Sequence, residues 1–130
     1  MGSEARPPEP HAAPLVEGAR AGVLMLQRCP RCGHVPSYPR IACPRCLAEL
    51  EWFRASGRGA VQAVAVIRRP HHERFTEHVP IVMATIELEE GAQVVSTIVG
   101  EDRLDTAVGS AVVSAGGGWS SLPQFRLGGG

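Results

Sequence analysis

After residue 58 the apolar residues fall into short runs, separated by glycine, proline and charged residues. Short runs rich in valine, isoleucine and alanine predict β-strands joined by turns. The five predicted strands are Ala60–Ile67, Ile81–Leu88, Val94–Val99, Ala111–Ser114 and Pro123–Leu127. The predicted turns are Gly57-Arg58-Gly59 and Glu89-Glu90-Gly91, and one helical turn is predicted from Asp102 to Ala107. This half of the chain is therefore expected to be all β.

Five short strands in about 70 residues suit a small closed barrel, which leaves no sheet edge exposed. We therefore predict a five-stranded OB-fold barrel over residues 51–127, in a mostly β protein. An SH3-like barrel is the alternative, because the number of strands alone does not separate the two folds.

The first part of the chain has a different texture. Residues 1–13 are rich in proline and charge, so they are predicted to be a disordered tail, and residues 128–130 a second tail. Pro14 is expected to start a short helix that stops at Gly22, and Val23–Leu26 a short strand. Residues 14–50 are thus predicted to form a helix and a cysteine-rich module.

The cysteines form two matched Cys-Pro-Arg-Cys pairs, Cys29 with Cys32 and Cys43 with Cys46. Two intervening residues let both sulfurs of a pair reach one ion, and Gly33 supplies the left-handed backbone usually needed after such a pair. Two pairs give tetrahedral coordination in a rubredoxin-like zinc ribbon, so we predict one structural Zn²⁺. Rubredoxin-type iron is the alternative, whereas catalytic zinc is disfavoured because four thiolates leave no position for water.

The formal net charge is zero, and all thirteen basic residues are arginine. Charge is nevertheless uneven, with four arginines and no acid in residues 28–48 and six acids in residues 87–105. No apolar run approaches the roughly 18 residues of a membrane span, and no secretory leader opens the chain. We therefore expect a cytoplasmic protein without a membrane partner.

Catalytic motifs such as GxSxG, a P-loop, GxGxxG or HExxH are not found, so no catalytic residue is predicted. One loop carries His71, His72 and His78 beside Glu73 and Glu77. A second metal site, or an independent enzyme using these histidines, is possible there, but a solvated polar loop is preferred. His34, next to the first cysteine pair, is interpreted as a bystander.

Aromatic residues offer two further hypotheses. Trp52-Phe53 directly follows the cysteine-rich module and is expected to pack between that module and the barrel. Trp119 and Phe125 lie near a glycine-rich segment and would either form a docking patch or cap the barrel.

An ordered set of motifs covers roughly residues 14–127: Leu24–Cys29, Cys32-Gly33, Pro39-Arg40, Cys43–Cys46, Glu51-Trp52, Gly57–Gly59 and Phe125-Arg126. In this order the motifs resemble the zinc-ribbon/OB-fold proteins associated with acyl-CoA enzymes, long catalogued as a domain of unknown function. Tyr38 departs from that pattern, which often has a second proline there.

The resemblance implies a non-catalytic subunit that docks on a thiolase-superfamily enzyme, either a thiolase or a thiolase-like aldolase, as a hetero-oligomer. Such proteins order the complex and can help to line the CoA site. Some are fused to hydratases of bacterial steroid side-chain degradation. Arg31, Arg40 and Arg45 would suit the phosphates of acyl-CoA, because arginine makes bidentate, charge-assisted contacts. Alternatively, these arginines only solvate the ribbon.

A nucleic-acid-binding module is the competing hypothesis, because zinc ribbons and OB barrels both bind nucleic acid. Against it, the predicted hairpin carries Glu87, Glu89 and Glu90, where such proteins need basic and aromatic side chains.

Overall fold

The computed structural model describes residues 12–69, 73, 76–116 and 122–128. The helix and strands in these residues are α1 Ala13–Arg20, β1 Met25–Arg28, β2 Glu51–Arg54, β3 Arg58–Ile67, β4 Ile81–Leu88, β5 Gln93–Ile98, β6 Ala111–Ala115 and β7 Gln124–Leu127, with a 3-10 turn at Arg103–Asp105. A search of these residues finds no helix with the length and apolar character needed to cross a membrane. Residues 1–11 of the predicted tail lie outside the described part.

Helix α1 has a proline in its first turn and buries Val16 and Ala19. It ends where the backbone N–H groups of Ala21 and Val23 both donate to the carbonyl of Gly18, at 3.0 and 2.9 Å. Gly22 follows with a φ of 76°, a left-handed conformation that glycine adopts without a steric penalty. The predicted short helix is therefore confirmed, including its stop.

Strands β1 and β2 form a two-stranded antiparallel sheet, from Met25 opposite Arg54 to Arg28 opposite Glu51. The predicted strand Val23–Leu26 was wrong by two residues at each end. The N–H of Val23 is used to close the end of α1, so the ladder with β2 begins only at Met25.

The remaining strands close into a barrel in the order β3-β4-β5-β7-β6. Every neighbouring pair is antiparallel except β5 and β7, which are parallel where Ile98 lies opposite Phe125. This parallel contact gives the barrel an OB-fold topology, so the mostly β fold with a five-stranded OB barrel is confirmed and the SH3-like alternative is wrong.

The predicted Gly57-Arg58-Gly59 turn was wrong in extent. Gly57 has a φ of 79°, but Arg58 and Gly59 already belong to β3. A Cβ atom at Gly59 would lie 2.6 Å from Cγ2 of Ile86 on β4. Glycine is therefore used here for close packing of two strands and not for a bend.

A single apolar core joins the barrel to the N-terminal module. Ile86, Ile98 and Phe125 of the barrel are fully buried and belong to the same cluster as Leu24 and Leu26. Of the two aromatic residues proposed for a docking patch, Phe125 is thus a core residue, and Trp119 lies outside the described part of the chain. Because the two parts share one core, the cysteine-rich module packs against the barrel in a fixed position.

Candidate metal centre and neighbouring groove

Each cysteine pair lies on a tight turn, here called a knuckle: residues 29–34 form the first and residues 43–48 the second. In the first knuckle, the Gly33 N–H donates to the carbonyl of Cys29 at 2.8 Å and the Cys29 N–H donates to the carbonyl of His34 at 2.9 Å. The second knuckle makes the same bonds at equivalent positions. Backbone hydrogen bonds therefore shape both turns before any metal is considered.

The four sulfurs converge on one point. Sγ–Sγ distances are 3.4 Å for Cys29–Cys46, 3.6 Å for Cys32–Cys43 and 3.8 Å for Cys32–Cys46. Tetrahedral ligands about 2.3 Å from a zinc ion would lie roughly 3.8 Å apart, so the spacing fits one ion. Among the described residues, these cysteines are the one group of three or more side chains positioned to hold a metal.

The local electrostatics favour thiolates at two of the four positions. The backbone N–H of Cys32, 3.4 Å from the sulfur, is the main reason that the pKa of Cys29 falls to about 6. Burial opposes ionisation of Cys43, but backbone N–H groups outweigh it and lower that pKa too. The Ala48 amide favours the Cys46 thiolate, yet the hydrogen bond between Cys46 and the Cys29 sulfur, together with burial, raises the pKa of Cys46 to about 11. Two low-pKa thiols prepare the site for a cation.

A four-thiolate site is closed, because its ligands fill the tetrahedral positions that a substrate or water would need. Zinc held by Cys29, Cys32, Cys43 and Cys46 would stabilise the fold and supply no chemistry. The half-buried His34 is outside this ligand group and contributes its backbone carbonyl to the first knuckle.

Arg31 and Arg45 are exposed within the knuckles, and Arg40 is exposed on the loop between them. The backbone of Arg40 is clamped by the buried side chain of Gln27 on β1. The Arg40 N–H donates to Gln27 Oε1 at 2.7 Å, and Gln27 Nε2 donates to the Arg40 carbonyl at 3.0 Å. Gln27 was not predicted to have a role, although a polar amide directly after the apolar run Val23–Leu26 was a visible signal.

An apolar groove of about 310 Å³ lies between α1, β1, the loop at 36–39 and the barrel. Leu15 and Trp52 are part of its wall. Its rim is unusually apolar for a surface, because Tyr38, Val95 and Leu122 are 59%, 54% and 52% exposed. Sequence reasoning missed the groove, since its walls come from segments that are far apart along the chain.

Trp52 and its neighbour Phe53 were expected to pack between the ribbon and the barrel. Trp52 and the barrel residue Val94 both line the groove, and Phe53 packs against the shared core. The described contacts of both residues agree with that expectation.

The histidine loop is only partly described. His71 and His72 lie outside the described residues, whereas His78 is half-buried and Glu73 and Glu77 are exposed. The preference for a solvated loop over a second metal site stays a prediction.

Two family descriptions match consecutive parts of the chain. Residues 16–51 match the "ChsH2, rubredoxin-like zinc ribbon domain", and residues 52–115 match the "ChsH2, C-terminal OB-fold domain". The predicted four-cysteine zinc ribbon is thereby confirmed, with its cysteines positioned to bind one metal ion.

Among similar proteins, a "DUF35 domain-containing scaffold protein" of Methanothermobacter thermautotrophicus is 40% identical over 91 residues, which are 68% of each chain. A protein with the same description from Methanocaldococcus jannaschii is 37% identical over 91 residues, 68% of this chain and 64% of that one. A "Probable enoyl-CoA hydratase alpha subunit" of Thermomonospora curvata is 33% identical over 99 residues, 75% of this chain but only 30% of that protein.

Two solved structures share the fold. The "Ltp2-ChsH2(DUF35) aldolase" superposes with a TM-score of 0.77 at 31% identity, covering 94% of this chain and 98% of that one. A DUF35-family protein of unknown function from Sulfolobus solfataricus superposes with a TM-score of 0.64 at 14% identity, over 92% and 86% of the two chains. Together with the family matches, these similarities show that the chain belongs to the DUF35 family of ChsH2-type proteins, which combine a zinc ribbon with an OB-fold.

Proposed function

We propose that this chain is the non-catalytic accessory component of a cytoplasmic thiolase-superfamily enzyme, a thiolase or a thiolase-like aldolase, that acts on acyl-CoA. In this role it docks on the enzyme, orders the complex and contributes arginine contacts to the CoA phosphates. The acyl group of a steroid side chain is the first substrate to test, since the resemblance of the motifs to this family implies such a role.

The observation that carries the proposal is the match to the aldolase structure along nearly the whole length of both chains. A match over 94% of this chain extends well beyond the common cysteine motif and takes in most of both the ribbon and the barrel. Two relatives described as scaffold proteins support an accessory role from a separate direction.

The chemistry of the described side chains supports the same role. A nucleophile needs an adjacent base and access to substrate. The four thiols, otherwise the strongest nucleophiles here, converge on a single metal position. A chain whose most reactive groups are committed to structure is better suited to positioning a substrate than to transforming it.

The groove and the clamped Arg40 support a contact with acyl-CoA. Coenzyme A joins an anionic nucleotide to a long, less polar thioester arm. The apolar groove extends to Pro39, and the exposed Arg40 follows directly, held in place by Gln27, which also lines the groove. An apolar channel beside an exposed arginine whose backbone is fixed matches the two ends of this ligand.

Assembly is tested by co-expression with candidate thiolases and thiolase-like aldolases, followed by size-exclusion chromatography. We expect a stable complex with one of them and a loss of partner solubility or CoA-ester turnover when this chain is omitted. Robust turnover of a CoA ester by this chain alone would contradict the accessory role.

The contribution of Arg40 is tested by steady-state kinetics of the reconstituted complex. Arg40→Glu is expected to raise KM for CoA esters with little change in kcat, because it alters binding and no bond-making step. Arg68→Glu reverses the charge of another exposed arginine, directly after β3 on the barrel, and is the matched control. His78→Ala should cost little in kcat, whereas loss of a true acid–base group would cost about 10²–10⁴-fold. Equal effects of Arg40→Glu and Arg68→Glu would remove Arg40 from the proposal.

Nucleic-acid binding remains the competing outcome of these experiments. Glu87 is exposed on β4, and Glu89 is exposed in the turn that leads to β5. Carboxylates on this hairpin repel the phosphate backbone. Salt-sensitive binding of single-stranded DNA, together with no enzyme partner, would favour the competing function.

A further inference from the structure

The two knuckles differ at one matched position. The residue after the second cysteine of each pair is Gly33 in the first knuckle and Leu47 in the second. Both donate their backbone N–H to the carbonyl of the first cysteine of the pair, Cys29 or Cys43, at 2.8 Å. Both also have a left-handed backbone, with φ of 79° for Gly33 and 65° for Leu47. The turn therefore requires a conformation that only one of the two residues adopts without strain.

Leu47 is the one described non-glycine residue with a positive φ. A left-handed backbone brings the Cβ of an L-residue too close to the following carbonyl oxygen, which glycine avoids and asparagine tolerates. Burial does not compensate for this strain, because the Leu47 side chain is 80% exposed. Within the isolated chain, leucine is thus unfavourable at this position, both for its backbone conformation and for the exposure of its apolar side chain.

Other exposed side chains lie close to Leu47 along the chain. Ile41, on the other side of the same knuckle in sequence, is 81% exposed, so these two are the most exposed large apolar side chains described. Arg45 between them is exposed as well. A bridge between Ala42 and Glu49 ties the two limbs of the knuckle together. We call Ile41, Arg45 and Leu47 the second-knuckle patch.

We propose that the second-knuckle patch is a docking surface for the enzyme partner, with Leu47 entering an apolar pocket whose rim carries carboxylates. The inference rests on the proposed function and adds the place of contact. Strained residues persist where the surrounding structure fixes them and cluster at functional sites. A turn fixed by hydrogen bonds and a metal holds Leu47 ready for binding, so little ordering entropy is lost on docking.

The charge of the patch favours an acidic protein surface. Residues 28–51 contain four arginines and two acidic residues, Glu49 and Glu51, so this part of the chain is basic overall. An aliphatic anchor in a pocket, with a polar rim whose hydrogen bonds are satisfied, is the arrangement that protein interfaces use. The patch carries no aromatic side chain on which a base could stack, so a single-stranded nucleic acid is a poorer fit.

The test uses the wild-type chain and the thiolase-superfamily enzyme identified by co-expression, with affinity measured by calorimetry. Leu47→Asn and Leu47→Gly should weaken the complex by roughly tenfold or more, while zinc content and Tm stay level or rise. Binding and stability would then move in different directions, which a merely structural role for Leu47 would not produce. Val108→Asn, at an aliphatic residue 68% exposed on the barrel side, is the control and should leave affinity unchanged.

Wild-type affinity in both Leu47 variants would overturn this inference and leave the proposed function standing. Failure of the wild-type chain to bind any such enzyme would overturn both. If the wild-type chain alone forms an oligomer that Leu47→Asn dissociates, the patch binds a second copy of this chain, and the assignment to the enzyme partner is wrong.

Discussion

The zinc ribbon and the barrel are each stabilised by a different kind of interaction. The barrel closes through strand pairing around fully buried side chains such as Ile86 and Phe125. The knuckles bury little apart from Cys29 and Cys43, and they place Leu47 in the solvent. The barrel is therefore specified by many weak contacts, and the ribbon by a few strong ones around one ion. The distinction predicts which substitutions each half tolerates.

Loss of the metal should have the largest effect and should be confined to the ribbon. Structural zinc in small modules contributes on the order of 10 kcal/mol of apparent binding energy, comparable to the whole stability of a domain. Cys43→Ser is expected to abolish zinc binding and unfold the knuckles, while the barrel strands keep their far-ultraviolet circular dichroism. Metal analysis should give about one zinc per wild-type chain, and limited trypsin digestion should cut the variant rapidly after Arg31, Arg40 or Arg45.

Wild-type zinc content, solubility and trypsin resistance in Cys43→Ser would show that the ribbon does not depend on its ion. Complete loss of the far-ultraviolet circular dichroism of the barrel would instead show that the two halves unfold together, coupled through the shared core at Leu24 and Leu26.

The reciprocal change removes the centre of the barrel. Phe125 is 0% exposed, so Phe125→Ala should destabilise the protein by about 3–5 kcal/mol through lost burial and a residual cavity. Zinc should remain at about one equivalent under native conditions, because none of the metal ligands is in the barrel. Urea unfolding measures the first quantity and metal analysis the second, and a folded but zinc-free variant would contradict the separation.

The local parts of this protein were predictable from the sequence, and the parts made by distant contacts were not. Two matched cysteine pairs predicted the ribbon because ligands within a few residues share one turn. Short apolar runs predicted the barrel strands, because a strand is also specified by residues that are close together in sequence. The start of β1 was missed because the N–H of Val23 bonds back to Gly18, which no apolar pattern reveals.

The groove and the clamp at Arg40 illustrate the remaining limit. Leu15 and Leu122 both line the groove, although one lies before β1 and the other after β6 in the chain. Gln27 and Arg40 bond to each other across 13 positions. The predicted strand ended at Leu26, and no local pattern indicates that the Gln27 side chain bonds to the backbone of Arg40.

That clamp supplies an intermediate test, because it holds the ribbon loop without using the metal. Gln27→Glu places a carboxylate against the Arg40 carbonyl and should destabilise the protein by about 1–3 kcal/mol, the range for an unsatisfied buried polar group. Gln27→Met is similar in shape, adds no charge and should have the smaller effect. The measurement is the urea midpoint of each variant. Midpoints equal to that of the wild-type chain in both variants would mean that the metal alone holds this loop.

The smallest expected effect separates the two knuckles from each other. Leu47→Gly relieves a left-handed backbone, worth about 1–2 kcal/mol for an L-residue, but it also gives the unfolded chain more freedom, worth about 0.4–1 kcal/mol. The free energy of unfolding should therefore rise by roughly 0–1.6 kcal/mol, although an apolar side chain has been removed. Gly33→Leu makes the reverse change in the first knuckle and should lower Tm, since its φ of 79° suits glycine. Thermal unfolding of the zinc-loaded proteins distinguishes the two. A clear loss of stability in Leu47→Gly would show that the leucine is held by the ribbon itself, and its exposure would then need no partner.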